Sequence, residues 1–128
     1  MNEYRILVVD DEEDLCEILK FNLENEGYEV DTANSAEDAL KMDISTYDLL
    51  LLDVMMGEIS GFKMASMLKK EKKTAKIPII FITAKDTEND TVTGFNIGAD
   101  DYISKPFSLR EVAARVKAVL RRTRQTET

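Results

Sequence analysis

Short apolar runs alternate with amphipathic stretches along the whole chain, beginning with the run YRILVV near its start. Short apolar runs bounded by polar residues predict buried strands, whereas apolar positions three or four residues apart predict helices. The predicted strands cover residues 4–9, 28–34, 49–52, 79–83 and 101–104. The predicted helices cover residues 13–26, 62–70 and 88–97, and two more begin after Ser35 and Ser108. Strands and helices that alternate in this way predict an α/β domain with a parallel sheet.

Two features of the sequence place the ends of these elements. Ser35 and Ser108 are each followed three positions later by an acidic residue, which is the spacing of a helix-capping box. After Arg122 the sequence is polar. We therefore expect a single domain over residues 1–122 and a frayed tail, or the start of an interdomain linker, over 123–128.

Composition excludes several classes of protein. The 128 residues are 44% hydrophobic and 33% charged, which is typical of one globular domain. The net charge of −8 disfavours a nucleic-acid surface, and the absence of His excludes Ser-His and Cys-His catalysis and His-bearing zinc sites. The single Cys16 cannot form an internal disulfide, which predicts a reducing, cytoplasmic location. No apolar run approaches the ~18 residues of a membrane span, so we expect no membrane partner.

Polar side chains capable of chemistry follow four of the predicted strands. Asp10 and Asp11 follow the first strand, Asp53 the third, Thr83 ends the fourth, and Lys105 follows the fifth. Because ligand sites of parallel sheets lie at the carboxyl ends of the strands, we expect these five residues to converge. Any one of them has a plain structural explanation: the paired acids could cap a helix, and Lys105 could be a solvated surface residue. The functional interpretation depends on the whole set.

Three carboxylates a few ångströms apart repel one another unless a cation lies between them. Mg²⁺ fits such a site, because it takes oxygen ligands from one or two carboxylates and keeps several waters. A metal ion, an ammonium group and a hydroxyl group together can neutralise and hold the oxygens of a phosphoryl group. The pattern therefore predicts phosphoryl chemistry with Mg²⁺ as cofactor.

Four segments of the chain resemble the receiver domain of bacterial two-component response regulators. They read ILVVDDE, LLLLDVMM, IIFITAK and GADDYISKPF, and the resemblance extends over essentially the whole chain. It implies a doubly wound, flavodoxin-like sheet in the order 2-1-3-4-5. It also implies a signalling switch rather than an enzyme, in which a sensor histidine kinase supplies the phosphoryl group.

The resemblance also implies a role for each residue of the set. Asp53 would be the phosphoacceptor. Asp11 and Asp53, with the backbone carbonyl of Met55, would bind Mg²⁺ directly, and Asp10 would bind it through a water. Lys105 would pair first with Asp53 and then with the phosphoryl oxygens.

A conformational switch is implied next to these residues. Thr83 would turn to bond the phosphoryl group together with the backbone N–H of Ala84, and Tyr102 would swing into the space that Thr83 leaves. Tyr102 taken alone is as compatible with simple packing as with a switch. The resemblance also implies a cis peptide bond between Lys105 and Pro106.

The C-terminal segment GADDYISKPFSLREVAARVKAVLRR is similar to that of OmpR-type transcription factors, whose receivers dimerise and carry a winged-helix DNA-binding domain. We therefore expect an excised receiver, rather than a stand-alone one, that binds DNA only through a domain absent from this sequence. Members often have Pro in place of Gly57 and Asp in place of Ser60, so the loop after Asp53 is expected to be looser.

The resemblance implies a homodimer, formed on phosphorylation, through the predicted fourth helix, the fifth strand and the last helix. The residues expected on this dimer face are Asp101, Glu111, Arg115 and Lys117. Thr91 and Asn96 stand where the subfamily usually has charged partners for Glu111 and Lys117, so we expect a weak dimer.

Two other functions remain open from the sequence. A haloacid-dehalogenase-type phosphatase also forms an aspartyl phosphate, but it needs a second Asp two residues after the nucleophile, where this chain has Met55. A nucleotide or flavin module of the same fold would carry a glycine-rich phosphate loop, and neither GxxxxGK[ST] nor GxGxxG occurs.

Overall fold

A computed structural model describes residues 4–84, 92–93 and 96–126. Within these residues, five parallel strands form one sheet in the order β2-β1-β3-β4-β5. The strands are β1 Arg5–Val9, β2 Glu29–Ala33, β3 Leu49–Asp53, β4 Ile79–Thr83 and β5 Asp101–Ser104. The described helices are α1 Glu13–Asn25, α2 Ala36–Leu40, α3 Gly61–Lys69 and α4 Leu109–Thr126. The predicted fold class and strand order are thus confirmed.

The sheet is buried on both faces, and the four consecutive leucines of β3 show why. Successive side chains of a strand point to opposite faces. Leu50 and Leu52 accordingly belong to the apolar cluster under α2 and α3, whereas Leu49 and Leu51 belong to the cluster under α1 and α4. Every residue of β3 is buried, as expected for a central parallel strand. Asp53 ends this strand and is therefore drawn into the interior.

Serine hydroxyls cap the helices that follow the loops. Ser35 Oγ accepts a hydrogen bond from the backbone N–H of Asp38, and Ser108 Oγ accepts one from Glu111, both at 3.0 Å. The second capping box is only half formed, because the Glu111 carboxylate bonds the side chain of Arg115 instead of returning to Ser108. Ser60 caps α3 in the same way and extends that helix to begin at Gly61 rather than at residue 62.

Several elements differ from the prediction. A 3-10 turn over Ile44–Thr46 was not predicted, because three residues are too few to show a period. The last helix continues to Thr126, past the point where the polar tail is expected to fray. Most of the predicted helix over residues 88–97 lies outside the described residues. None of the described helices has the length and apolar character needed to cross a membrane.

The charged segment over residues 69–76 is partly internal. The Lys69 ammonium donates hydrogen bonds to the backbone carbonyls of Ala75 at 3.0 Å and Ile77 at 3.2 Å. Burial lowers the pKa of Lys69 from its ordinary value, against the opposing charge of Asp100. Lys69 therefore fastens the end of α3 to the chain that enters β4.

Candidate functional site at the carboxyl edge of the sheet

Three carboxylates meet at the carboxyl ends of β1 and β3. These strands pair in parallel with Val9 opposite Leu52, so the residues that follow them lie side by side. Asp10, Asp11 and Asp53 each present a carboxylate oxygen, and these oxygens all lie within 4.8 Å of one another. Asp10 and Asp53 are buried, whereas Asp11 is exposed. The structure therefore brings together the three acids that the sequence places at separate strand ends.

Burial and crowding make these carboxylates hard to ionise. Burial raises the pKa of Asp53 to about 7, and the charges of Asp10 and Asp11 add to the rise. The charge of Lys105 and a backbone hydrogen bond from Met55 oppose it. Burial is also the main reason why the pKa of Asp10 is raised. Such a cluster favours a divalent cation, because a cation relieves the repulsion and restores the ionised forms.

Lys105 is the cation that the fold itself supplies. Its Nζ atom lies 3.4 Å from Asp10 Oδ2 and 3.8 Å from Asp53 Oδ1. A third acid, Glu12, lies closer still, with its Oε1 atom 3.1 Å from Nζ. Burial alone would lower the pKa of Lys105, but the hydrogen bond to Glu12 and the charges of the two aspartates raise it instead. The peptide bond between Lys105 and Pro106 is cis, as predicted.

Glu12 was not singled out from the sequence. An acid at the start of a helix is commonly a dipole partner, and its sequence position does not show that a lysine 93 residues away reaches it. The only signal in the sequence is the run DDEED, in which three further acids follow the two that the proposed metal site uses.

Thr83 and Tyr102 lie on one face of the sheet. Phe81 and Thr83 are two residues apart on β4 and so point to the same face. Tyr102 of β5 stands opposite Phe81 in the register, with ring centroids 6.0 Å apart in an edge-on arrangement. Thr83 is buried, whereas Tyr102 is half-buried. A rearrangement of Thr83 can therefore reach Tyr102 without crossing the sheet.

The loop after Asp53 returns tightly to the strand that it leaves. The backbone N–H of Gly61 donates a 3.0 Å hydrogen bond to the carbonyl of Val54. A Cβ atom at Gly61 would collide with the backbone carbonyl of Asp53. Gly61 thus keeps the start of α3 in contact with Asp53, a role that sequence alone did not reveal. Met55 lies in this loop and is 71% exposed.

The backbone of Asp10 is held by two side chains. The Cys16 thiol donates to the carbonyl of Asp10 at 3.3 Å, and the Asn34 amide donates to the same oxygen at 3.2 Å. Burial, with the charge of Asp10, raises the pKa of Cys16 to about 11. The thiol therefore stays protonated at neutral pH and acts as a hydrogen-bond donor in the structure rather than as a nucleophile.

Three of the four residues expected on the dimer face pair with one another within the single chain. Both carboxylate oxygens of Asp101 accept from Arg115 Nη1, at 3.0 and 3.1 Å. Glu111 Oε2 lies 3.1 Å from Nε of the same arginine. Lys117 is exposed on α4. Asn96, which precedes β5 in the chain, is also exposed. Position 91 lies outside the described residues.

Comparisons with known proteins identify the family. The sequence model of the response regulator receiver domain family matches residues 6–117. The alkaline phosphatase synthesis transcriptional regulatory protein PhoP of Bacillus subtilis is 50% identical over 120 residues, which are 93% of this chain and 49% of that protein. The transcriptional regulatory protein ResD of the same organism is 47% identical over 126 residues, which are 98% of this chain and 51% of that protein. The chain spans about half the length of these curated relatives.

Solved structures agree with this assignment. DrrB of Thermotoga maritima, described as an OmpR/PhoB homologue, superimposes with a TM-score of 0.86 at 30% identity, covering 94% of this chain and 54% of that one. A BeF3-activated DrrB receiver domain gives a TM-score of 0.85 at 31% identity, covering 94% of this chain and 99% of that one. These likenesses support the OmpR-type subfamily over a dehalogenase-type phosphatase or a nucleotide module. The chain belongs to the family of response regulator receiver domains.

Proposed function

We propose that this chain is a phosphorylation-activated signalling switch in which Asp53 accepts a phosphoryl group from a sensor histidine kinase. The observation that carries the proposal is the position of Asp53: a buried carboxylate lies beside two further carboxylates and 3.8 Å from an ammonium group. Receiver domains of response regulators act in signalling with sensor kinases rather than as classical enzymes. The domain therefore promotes only its own phosphorylation and dephosphorylation.

The residues of the site divide the work of the transfer. An oxygen of Asp53 attacks the phosphorus of a phosphohistidine, the new O–P bond forms, and the histidine nitrogen leaves with the electrons of the P–N bond. Asp11, Asp53 and the backbone carbonyl of Met55 would hold Mg²⁺, and Asp10 would act through a water. The ion, when bound, neutralises charge on the transferred group. Lys105 does the same from the other side.

The ionisation of Asp53 links the cation to the reaction. Only the carboxylate form can attack phosphorus, and without a cation the pKa of about 7 leaves much of Asp53 protonated at neutral pH. A divalent cation held by the three acids would lower that pKa, which would leave Asp53 ionised as the nucleophile.

Thr83 and Tyr102 carry the signal from the site to the dimer face. The Thr83 hydroxyl donates a hydrogen bond to a phosphoryl oxygen, as does the backbone N–H of Ala84, and Tyr102 turns towards the space that Thr83 leaves. Thr83 and Tyr102 lie on the same face of the sheet, which supports this route. β5, α4 and the helix predicted over residues 88–97 then present a surface on which a second copy docks.

This receiver is part of a longer regulatory protein. Residues 1–122 form the receiver, and 123–128 begin a linker to a winged-helix domain that binds DNA and regulates transcription. The first residues of this linker continue α4 to Thr126. Relatives named as transcriptional regulators and about twice as long as this chain support that arrangement. Such a regulator works in the cytoplasm.

Phosphorylation by a small donor tests the proposal. We expect the parent chain to gain one phosphoryl group in intact-mass spectra with acetyl phosphate and Mg²⁺, and none with EDTA. Asp53→Asn should abolish the adduct. Glu58→Gln, which removes an exposed charge from the same loop, should preserve it. An adduct of full yield on Asp53→Asn, or one that persists with EDTA, would contradict the assignment.

A further inference from the structure

The Lys105 ammonium directs its hydrogen bonds away from Asp53. Its Nζ atom lies 3.1 Å from Glu12 Oε1 and 3.4 Å from Asp10 Oδ2, and both contacts are hydrogen bonds. The contact with Asp53 Oδ1 is 3.8 Å, which is within range of an ion pair but too long for a hydrogen bond. Lys105 must therefore leave part of its present environment to bind a group attached to Asp53.

Glu12 differs from the other acids around Lys105. Its side chain is 63% exposed, and its carboxylate is not one of the three that converge as a possible metal site. It occupies the N-cap position of α1 but makes no side-chain capping bond there. Its backbone is fixed, because its N–H donates to Asp10 Oδ1 at 2.9 Å. Pairing with Lys105 is thus the one contact that the structure gives this carboxylate among the described residues.

The backbone of Lys105 is also fixed. Its N–H donates to the carbonyl of Thr83 at 2.7 Å, at the point where β5 leaves the sheet beside β4. The ammonium group can therefore change partner only by rotating its side chain. Glu12 and a phosphoryl group on Asp53 would draw it in different directions.

We propose that Glu12 is a positioning residue that holds Lys105 off Asp53 in the unphosphorylated chain and so slows phosphorylation. This inference rests on the proposed function of Asp53. The restraint is modest, because Glu12 is exposed and an exposed ion pair changes an equilibrium by only about two- to fivefold. The restraint changes the rate at which Asp53 is phosphorylated but does not prevent phosphorylation.

The rate of phosphorylation by phosphoramidate at saturating Mg²⁺, followed by intact mass, tests the proposal. We expect Glu12→Gln to react about two- to fivefold faster than the parent. Glu13→Gln is the matched control, since it removes a neighbouring exposed charge from the start of α1, and its rate should stay close to that of the parent. A Glu12→Gln rate equal to or below that of the parent would overturn the proposal. So would an equal acceleration of Glu13→Gln, which would indicate general repulsion of the donor.

A double-mutant cycle separates pairing from any other effect of the substitution. Unfolding in urea of the parent, Glu12→Gln, Lys105→Ala and the double variant gives the coupling between the two side chains without a phosphodonor. We expect the effect of Glu12→Gln to shrink when Lys105 is absent, and strictly additive effects would refute the pairing. Failure of the proposed function looks different, because the parent itself would then gain no phosphoryl group on Asp53.

Discussion

The buried carboxylate of Asp53 makes the stability of the folded chain depend on pH. Its pKa is about 7 in the folded chain, against an ordinary value of 3.8. Between these two values the folded chain keeps a proton that the unfolded chain has lost. Folding therefore binds a proton in this range, and the free energy of unfolding falls as the pH rises from about 4 to about 7. Above pH 7 the loss is complete and constant.

The substitution Asp53→Asn removes this penalty while keeping the shape of the side chain. A pKa unit corresponds to about 1.4 kcal/mol, so the rise of the Asp53 pKa sets a ceiling of about 4 kcal/mol on the effect at pH 8. Relaxation around the charge makes about 1–3 kcal/mol the realistic range. At pH 4 the parent carboxyl is protonated in the folded chain, and the two proteins should differ little.

Urea unfolding at several pH values between 4 and 8, in EDTA, measures the difference. The quantity of interest is the free energy of unfolding of Asp53→Asn minus that of the parent, which cancels the pH dependence of groups that do not interact with Asp53. Glu58→Gln controls for the loss of one negative charge from the same loop. A difference that does not grow with pH, or an Asp53→Asn variant less stable than the parent at pH 8, would refute the reasoning. Adding Mg²⁺ should stabilise the parent and have much less effect on the variant.

Three further predictions concern Gly61, the lifetime of the phosphoryl group and the dimer face. Gly61→Ala should lower the free energy of unfolding in urea by about 1–3 kcal/mol, because the new Cβ displaces the backbone of Asp53, and an unchanged stability would contradict this contact. The phosphoryl group should be long-lived, because Met55 has no polar group to position an attacking water; timed intact-mass spectra that show loss within a few seconds would disagree. Phosphorylation should strengthen the dimer in sedimentation experiments and Arg115→Ala should weaken it by about two- to tenfold, whereas equal dimerisation of variant and parent would count against the proposed face.

The sequence predicts the framework of the site well because two strong regularities govern it. The apolar runs identify the strands, and parallel strands of one sheet end at the same edge. The convergence of Asp10, Asp53 and Lys105 follows from these two facts, although Lys105 is separated from Asp10 by 95 residues. The register of the strands then fixes which side chains are neighbours, as for Tyr102 and Phe81.

The contacts that sequence reasoning missed depend on side-chain direction rather than on period. Glu12 looks like one of several acids at a helix start, and only the path of the Lys105 side chain shows that the two meet. Gly61 looks like an ordinary loop glycine until the chain returns against the carbonyl of Asp53. Lys69 stands in a lysine-rich segment, and the sequence does not show that its ammonium reaches the backbone carbonyl of Ala75. Residue type and spacing contain none of this information.

Burial of Asp53 also explains why a charge added there has consequences at a distance. A phosphoryl group carries about −1.5 to −2 charges at neutral pH and needs strong donors around its oxygens. The end of β3 already holds a carboxylate whose pKa is raised by burial, so water alone does not solvate the additional charge. Donors must come from side chains that now bond elsewhere, such as Lys105 with Glu12. In a closely packed interior a side chain that moves leaves a space that another side chain fills. Tyr102 lies on the same sheet face as Thr83, opposite Phe81 in the register. The same burial that makes Asp53 difficult to ionise therefore makes its phosphorylation a structural event.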